Sequence, residues 1–214
     1  MRPARALILD LDGLILDTEP GYRWAWRAAA EALDWPLADE FWPALSGMAA
    51  EQVWAAMAAA AGEGFDLPAL QRLSGEMWLE RVTREGIAVM PGFERLLAEM
   101  RRLGLPFCLA TNSERAAAEF CLRCAGLKGV FETMICRESA RLPKPAPDLV
   151  LAAARALKTP EAECWLLEDS WLGVRAGLAA GAQCVWVGAA VETGLAADGV
   201  RVAADLGLVA EWLV

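Results

Sequence analysis

The amino-acid sequence predicts an α/β protein in which a three-layer core around a parallel sheet carries an inserted helical domain. After about residue 90, short apolar runs alternate with longer stretches of helical character, a pattern typical of a parallel sheet covered by helices on both faces. Residues 19–85 contain no strand-like run and are expected to be helical. The chain has 214 residues, of which 57% are hydrophobic, so it can bury a sizeable core together with an insert.

Five segments are expected to form the strands of the sheet. Most of them are apolar on both faces, which indicates burial on both sides of the sheet. The predicted strands are LILD at 7–10, LPFCLAT at 105–111, VFETMICR at 130–137, CWLLED at 164–169 and AQCVWVG at 182–188. The predicted helices between them are SERAAAEFCLRCAGL at 113–127, APDLVLAAARAL at 146–157 and SWLGVRAGLAAG at 170–181. The segment MPGFERLLAEMRRLGLP at 90–106 is expected to return the chain from the insert to the sheet.

The inserted domain is predicted to span residues 18–85, so that the core consists of 1–17 and 86–214. The segment is rich in alanine and tryptophan, and Tyr22, Trp26 and Ala30 recur at helical spacing. Its tryptophans are expected to pack in a core. Prolines and glycines divide it into about four helices. These dividing residues are Pro36, Pro43, Gly47, Gly62, Gly64 and Pro68.

Composition excludes several classes of function. The net charge of −9 argues against a nucleic-acid partner, because that affinity depends on lysine and arginine neutralising phosphates. The chain has no histidine, so no mechanism can use a histidine base, nucleophile or metal ligand. No apolar run reaches the roughly 18 to 20 residues needed to cross a bilayer, so no membrane partner is expected. The short apolar part of the N-terminus and the six cysteines in mostly apolar segments predict a cytoplasmic protein with reduced thiols.

Two carboxylates follow the first predicted strand, in LILDLDGLILDTEP at 7–20. Residues two apart in a strand point to the same side, so Asp10 and Asp12 can face one pocket while Leu11 turns into the protein. In open α/β sheets, ligands bind at the carboxyl ends of the strands, where both acids lie. The local alternative is that the acids cap a turn, since Asp followed by Gly is common in turns.

Three further strand ends carry polar groups that suit a phosphate and a cation. Thr111 ends a strand before a helix whose N-terminal N–H groups can bind an anion, and Ser113 is expected to be the N-cap of that helix. Lys144 lies between two prolines that stiffen its backbone, so its ammonium group could balance a phosphate. Glu168 and Asp169 end another strand, where adjacent acids are costly unless solvent or a cation compensates them.

A magnesium ion and a phosphate together explain these groups. Carboxylate oxygens suit Mg²⁺, which binds through one or two carboxylates, waters and a substrate phosphate. A phosphate bridged between Mg²⁺ and Lys144 would then use all four loops. On this interpretation Asp10 and Asp12 divide the nucleophile and proton-transfer roles.

Four motifs, DLDGLILDTEP, LATNS, LPKPAPD and LLEDSWLGVRAG, resemble in order and spacing those of the haloacid dehalogenase superfamily of phosphohydrolases. The resemblance extends from Asp10 to Gly177 and implies a Rossmann-like core, with the helical insert as a small cap domain. It implies that Asp10 is the nucleophile, which takes the phosphoryl group as an aspartyl phosphate. It implies that Asp12 protonates the leaving oxygen and then activates water, with its backbone carbonyl on the metal.

The resemblance also implies roles for the other three loops. Thr111 and the amide of Asn112 would hold the transferring phosphoryl group, and Lys144 would pair with both that group and Asp10. Asp169 would bind Mg²⁺ directly, and Glu168 would act through a bound water. The implied metal site therefore consists of Asp10, Asp12, Glu168 and Asp169.

Within the superfamily, Asp12 favours phosphate substrates, because the true dehalogenases resemble D-x-Y rather than D-x-D at the first motif. The phrases DGLILDTE and KPAPD resemble a branch of sugar-phosphate, pseudouridine-phosphate and phosphoglycolate phosphatases that also holds β-phosphoglucomutase. The mutase uses a histidine at the cap hinge and a lysine and an arginine on a cap loop, where this chain has Tyr22, Ser46 and Ala50. A phosphatase is therefore expected, with a mutase as the alternative and a non-catalytic phosphometabolite-binding protein as a more remote one.

The motifs do not specify the substrate beyond a small phosphorylated metabolite of the sugar or nucleoside phosphate class. Specificity is expected to depend on cap residues near Gly47, Met48 and Trp54, since cap closure is a conformational step in such enzymes. A monomer or a weak dimer is expected.

Overall fold

The structure is a computed structural model of the protein, and it describes residues 2–35, 37, 39–45, 50–61, 65–188 and 199–214. The chain divides into two compact units, here called the α/β unit (Met1–Asp17 with Ala88–Val214) and the helical unit (Thr18–Ile87). Six residues that the sequence analysis named in the insert lie outside the described residues. They are Pro36, Ser46, Gly47, Met48, Gly62 and Gly64.

A parallel sheet forms the centre of the α/β unit. Its strands are β1 (Ala6–Leu9), β2 (Phe107–Ala110), β3 (Met134–Ile135), β4 (Cys164–Glu168), β5 (Gln183–Val187) and β6 (Arg201–Ala203). They lie in the order β3-β2-β1-β4-β5-β6, and every neighbouring pair is parallel. The predicted parallel α/β fold is confirmed. The third strand is much shorter than predicted, and the sixth was not predicted.

The described residues contain eight α-helices: α1 (Glu19–Ala32), α2 (Ala50–Ala61), α3 (Leu67–Glu85), α4 (Phe93–Arg102), α5 (Arg115–Cys124), α6 (Asp148–Ala156), α7 (Trp171–Ala180) and α8 (Leu206–Glu211). Local sequence sets the ends of α7. The Ser170 hydroxyl accepts the Gly173 N–H at its start, and Gly181 ends it with a φ of +80°. In the described part of the chain, no helix is long and apolar enough to cross a membrane.

The strand order brings three loops together at one edge of the sheet. β1 lies between β2 and β4, and Leu9 is in register with both Leu109 and Leu167. Because the strands are parallel, the residues that follow β1, β2 and β4 lie side by side at their carboxyl ends. β1 and β4 are buried along their whole length, so this edge is where polar side chains can be presented.

In the helical unit, α1 packs along α3. Tyr22 stacks on Trp78 with ring centroids 4.8 Å apart and planes 2° from parallel. About four helices were predicted here, whereas the described residues form three α-helices and two short 3₁₀ turns, Asp39–Phe41 and Pro43–Leu45.

The helical unit has six tryptophans, of which three are buried and two, Trp26 and Trp54, are partly buried against its core. Trp35, Trp42 and Trp78 are each less than 10% exposed, as expected for core residues. Trp24 differs, since it is 40% exposed and the Arg81 guanidinium lies over its ring at 4.6 Å. The prediction of tryptophan packing is therefore confirmed for all six side chains except that of Trp24.

Candidate active site

Asp10 and Asp12 lie directly after β1, in the loop that faces the carboxyl edge of the sheet. The Asp10 N–H donates to the Leu167 carbonyl oxygen of β4 (3.2 Å), so Asp10 extends the strand pairing by one residue. Leu11 is fully buried, as expected from the alternation of side chains. The chain then turns at Gly13, where a φ of +82° favours glycine.

Lys144 is buried, and its ammonium group reaches the end of β1. Nζ donates to Asp10 Oδ1 (2.5 Å), to the Ala110 carbonyl oxygen (2.7 Å) and to Glu168 Oε1. An ammonium group has three hydrogens, so all of its donors are engaged. Burial acts to lower the pKa of Lys144, but the Asp10 and Glu168 carboxylates outweigh it and raise the pKa above its ordinary value. The lysine is therefore charged.

The side chain of Asn112 holds the backbone of Lys144 in place. Asn112 Oδ1 accepts the Lys144 N–H (2.8 Å), and Asn112 Nδ2 donates to the Lys144 carbonyl oxygen (3.3 Å). The sequence analysis expected Asn112 only to hold the transferring phosphoryl group through its amide. The side-chain contact joins residues 32 positions apart, so no local pattern could have indicated it.

Thr111 and Ser113 follow β2, and the contact that the Ser113 hydroxyl makes differs from the predicted one. Thr111 is buried, and its Oγ1 accepts the Ser113 N–H (3.0 Å). The prediction that Ser113 caps the following helix is wrong: Glu114 occupies the N-cap of α5 and makes no side-chain cap bond. The Ser113 hydroxyl instead donates to Asp12 Oδ2 (2.8 Å).

Glu168 is the last residue of β4 and is completely buried. One carboxylate oxygen accepts from Lys144, and the other accepts from the Ser170 hydroxyl (2.9 Å). Gly173 makes room for it, because a Cβ at that position would overlap the Glu168 carboxylate. Helix α7 thus begins against this acid, and only a residue without a side chain fits there.

Asp169 lies next to Glu168, and one oxygen of its carboxylate lacks a hydrogen-bond donor in the described part of the chain. Its Oδ1 is buried and has no hydrogen-bond partner among the described residues. A Cβ at Gly13 would overlap the Asp169 carboxylate, so this acid lies against the turn after β1. Burial, with the nearby charges of Asp10 and Glu168, raises the pKa of Asp169 well above its ordinary value.

These groups form a site that fits a divalent cation. Asp10, Glu168 and Asp169 each offer one oxygen, and the three oxygens lie within 4.8 Å of one another. Burial and the Asp10 carboxylate act to raise the pKa of Glu168 above its ordinary value, although Lys144 opposes them. The ammonium group of Lys144 is thus set against three carboxylates. Oδ1 of Asp169, which has no hydrogen-bond partner in the described residues, marks where further positive charge is needed. Hard oxygen ligands of this kind suit Mg²⁺.

The chain matches a known protein family over most of its length. The model of the family "haloacid dehalogenase-like hydrolase" matches residues 4–181. The chain is 30% identical to "Fructose-1-phosphate phosphatase YqaB" of Escherichia coli (strain K12), over 84% of this chain and 94% of that protein. It is also 30% identical to "Beta-phosphoglucomutase" of Bacillus subtilis (strain 168), over 86% of this chain and 83% of that protein.

Two further comparisons concern length and fold. The chain is 29% identical over 85% of its length to "Protein SUPPRESSOR OF QUENCHING 1, chloroplastic" of Arabidopsis thaliana, but it spans only 18% of that longer protein. A crystal structure from Thermotoga maritima superposes with a TM-score of 0.83 and 24% identity, covering 98% of each chain. At that identity the likeness shows a shared fold.

Proposed function

This chain belongs to the haloacid dehalogenase-like hydrolase family, and on that premise we propose that it is a Mg²⁺-dependent phosphatase of a small phosphomonoester. The observation that carries the proposal is the buried ion pair between Lys144 and Asp10, directly beside the carboxylates of Glu168 and Asp169. A charged lysine holds one oxygen of Asp10, and the neighbouring acids form a cation site. This arrangement supports nucleophilic attack by Asp10 on a phosphorus atom.

In the first step, the carboxylate of Asp10 attacks phosphorus and the bond from phosphorus to the ester oxygen breaks. Oδ1 accepts the Lys144 hydrogen bond, so we assign the attack to Oδ2. Asp12 gives its proton to the leaving oxygen, and an alcohol departs while an aspartyl phosphate remains on Asp10. Thr111 accepts the Ser113 N–H through Oγ1, which leaves its hydroxyl proton to donate to a phosphoryl oxygen.

In the second step, water attacks the phosphorus of the aspartyl phosphate and Asp12 takes the proton from that water. Inorganic phosphate leaves and the Asp10 carboxylate is restored. Asp10, Asp169 and the Asp12 backbone carbonyl would hold Mg²⁺, with Glu168 acting through water, and the ion would offset the negative charge of the acids and the phosphoryl group. Lys144 contributes a second positive charge, which lies against Oδ1 of Asp10.

The substrate class we propose is a phosphorylated sugar. Its support is that two relatives, each 30% identical, are named for fructose 1-phosphate and for phosphoglucose. The second of these also supports a phosphomutase as an alternative. We favour the phosphatase, because Tyr22, Ser46 and Ala50 stand where the mutase resemblance requires a histidine, a lysine and an arginine.

The proposal is tested with p-nitrophenyl phosphate and a panel of hexose, pentose and nucleoside monophosphates, each with Mg²⁺ and with excess EDTA. We expect release of inorganic phosphate that EDTA stops and that added Mg²⁺ restores. Asp10→Asn, purified in parallel, controls for contaminating phosphatases. Turnover that persists in EDTA would refute the metal requirement, and a folded protein that hydrolyses none of these esters would favour a non-catalytic binding protein.

A further inference from the structure

Ser113 joins two loops of the site through its backbone and its side chain. Its N–H donates to Thr111 Oγ1 (3.0 Å), and its carbonyl oxygen accepts the Arg137 N–H (3.0 Å). The backbone of Ser113 is thus held on both sides, before α5 begins. Its hydroxyl donates to Asp12 Oδ2 at 2.8 Å, across 101 residues of chain.

We propose that Ser113 is a positioning residue that orients the Asp12 carboxyl group for proton transfer. The inference rests on the function proposed above, in which Asp12 supplies and removes the proton. The motif analysis gave Ser113 only a helix-capping role, and the structure shows that the hydroxyl is used elsewhere.

The geometry explains why orientation is needed here. Asp12 is partly exposed and stands in a loop, whereas Asp10 is buried and held by Lys144. The hydrogen bond from the Ser113 hydroxyl fixes Oδ2 and so limits rotation of the Asp12 carboxyl group. Because the backbone of the hydroxyl donor is itself anchored through Thr111, the Asp12 carboxyl group is held against the loop that presents the phosphate-binding groups. Misplacement by about 1 Å can cost on the order of 100-fold in rate, so one anchored hydrogen bond is sufficient to matter.

Phenyl phosphate and p-nitrophenyl phosphate, two esters of similar shape, distinguish an effect on proton transfer from an effect on substrate binding. Phenolate needs a proton to leave, whereas p-nitrophenolate does not. If Ser113 acts through Asp12, Ser113→Ala should lower the rate of phenol release by about 10- to 100-fold and the initial burst of nitrophenolate by less than about threefold. Ser113→Thr keeps a hydroxyl and should restore phenol release to within about threefold. KM for both esters should change little.

A control and a structural readout complete the experiment. Ser74→Ala in the helical unit removes a serine hydroxyl that donates to the Gln71 carbonyl oxygen, and it should leave both rates unchanged. Metal-free crystals of Ser113→Ala should show the Asp12 carboxylate in a different side-chain conformation, which Ser113→Thr returns to the original one.

The outcomes distinguish this inference from the proposed function. Equal losses on both esters, a raised KM for both, or an unmoved Asp12 in Ser113→Ala crystals would overturn the positioning role. Failure of Ser113→Thr to recover phenol release would overturn it as well. A wild-type protein that hydrolyses neither ester would instead refute the proposed function, and the crystals would still decide whether Ser113 orients Asp12.

Discussion

At the residue scale, the main feature of the candidate site is that, in the described part of the chain, its buried carboxylates are not all paired with a positive charge. Lys144 donates to two of the carboxylates, Asp10 and Glu168. Asp169 has no such partner for Oδ1 in the described residues, and its pKa is raised by burial and by those two acids. A raised pKa means that the ionised form costs free energy in the folded state. A bound cation would remove that cost, and so would a neutral side chain.

Asp169→Asn should therefore separate stability from activity. In EDTA the variant should melt at a higher temperature than the wild type, because the buried charge is gone. A gain of about 1 kcal/mol in the free energy of unfolding raises Tm by about 2–4 °C in a chain of this size. Turnover should be mostly lost, and Mg²⁺ should no longer shift Tm. Differential scanning fluorimetry with EDTA or Mg²⁺ measures both effects.

The matched control is Asp205→Asn, because Asp205 is an exposed N-cap of α8 and asparagine caps helices about equally well. It should change neither Tm nor turnover appreciably. A metal-free Asp169→Asn protein that melts at or below the wild-type temperature would contradict the charge argument.

The two acids after β1 should be separable by rapid-quench kinetics. Asp10→Asn removes the proposed nucleophile, so p-nitrophenyl phosphate should give no burst of nitrophenolate. Asp12→Asn keeps the nucleophile, and this leaving group needs no proton, so a burst should appear and be followed by slow turnover. For an alkyl phosphate, the loss of acid–base assistance should cost about 10² to 10⁴-fold. A burst from Asp10→Asn but not from Asp12→Asn would mean that the roles are reversed.

At the element scale, helix α7 depends on two glycines that let it approach the sheet. Gly173 admits the Glu168 carboxylate, and Gly177 lies so close to β4 and β5 that a Cβ would overlap Leu166 Cδ2 and Cys184 Sγ. These side chains are buried, so they have little room to move aside. The packing of α7 thus determines where β4 presents its two acids.

Gly177→Ala should be destabilising, although alanine is the better helix former. Overpacking of a core typically costs about 1–3 kcal/mol, more than the gain of about 0.5–1 kcal/mol in helix propensity. Gly75→Ala is the matched control, because Gly75 lies within α3 and its Cβ would meet nothing within 4 Å. Urea unfolding should show Gly177→Ala less stable and Gly75→Ala more stable than the wild type. Equal stabilisation of both variants would contradict the packing argument.

Most elements that face the core could be predicted because they are continuous apolar runs, as β4 and β5 are. β6 could not, because it has only three residues and Arg201 and Val202 are exposed. The length of β3 was overestimated, since only Met134 and Ile135 of the predicted eight-residue strand pair with β2. Hydrophobic pattern reports burial, whereas pairing depends on neighbours that are distant in the sequence.

The same distinction applies to the site. The sequence placed Asp10, Lys144, Glu168 and Asp169 on loops that a parallel sheet brings together, and the structure has them in contact or adjacent. Their chemical roles stay predictions. The contacts of Asn112 with Lys144 and of Ser113 with Asp12 were missed, because side-chain hydrogen bonds between separate loops leave no periodic signal.

At the scale of the whole molecule, the absence of histidine from all 214 residues restricts how protons can move. A carboxyl group such as Asp12 then becomes the natural acid and base. A mutase must in addition hold a bisphosphate while it turns around, which requires more groups than hydrolysis does. At the places where the resemblance expects those groups, the chain has Tyr22, Ser46 and Ala50, none of which is cationic.

The aspartyl phosphate should therefore pass to water rather than to a sugar. With β-glucose 1-phosphate and a small amount of β-glucose 1,6-bisphosphate, inorganic phosphate should accumulate faster than glucose 6-phosphate, as measured by parallel colorimetric and coupled dehydrogenase assays. The β-phosphoglucomutase of Bacillus subtilis, assayed alongside, should give the opposite ratio. If this hexose phosphate is not turned over, fructose 1-phosphate replaces it, and released phosphate is compared with fructose 6-phosphate. An isomerised product that forms faster than free phosphate would show that the aspartyl phosphate gives its phosphoryl group to a sugar hydroxyl rather than to water.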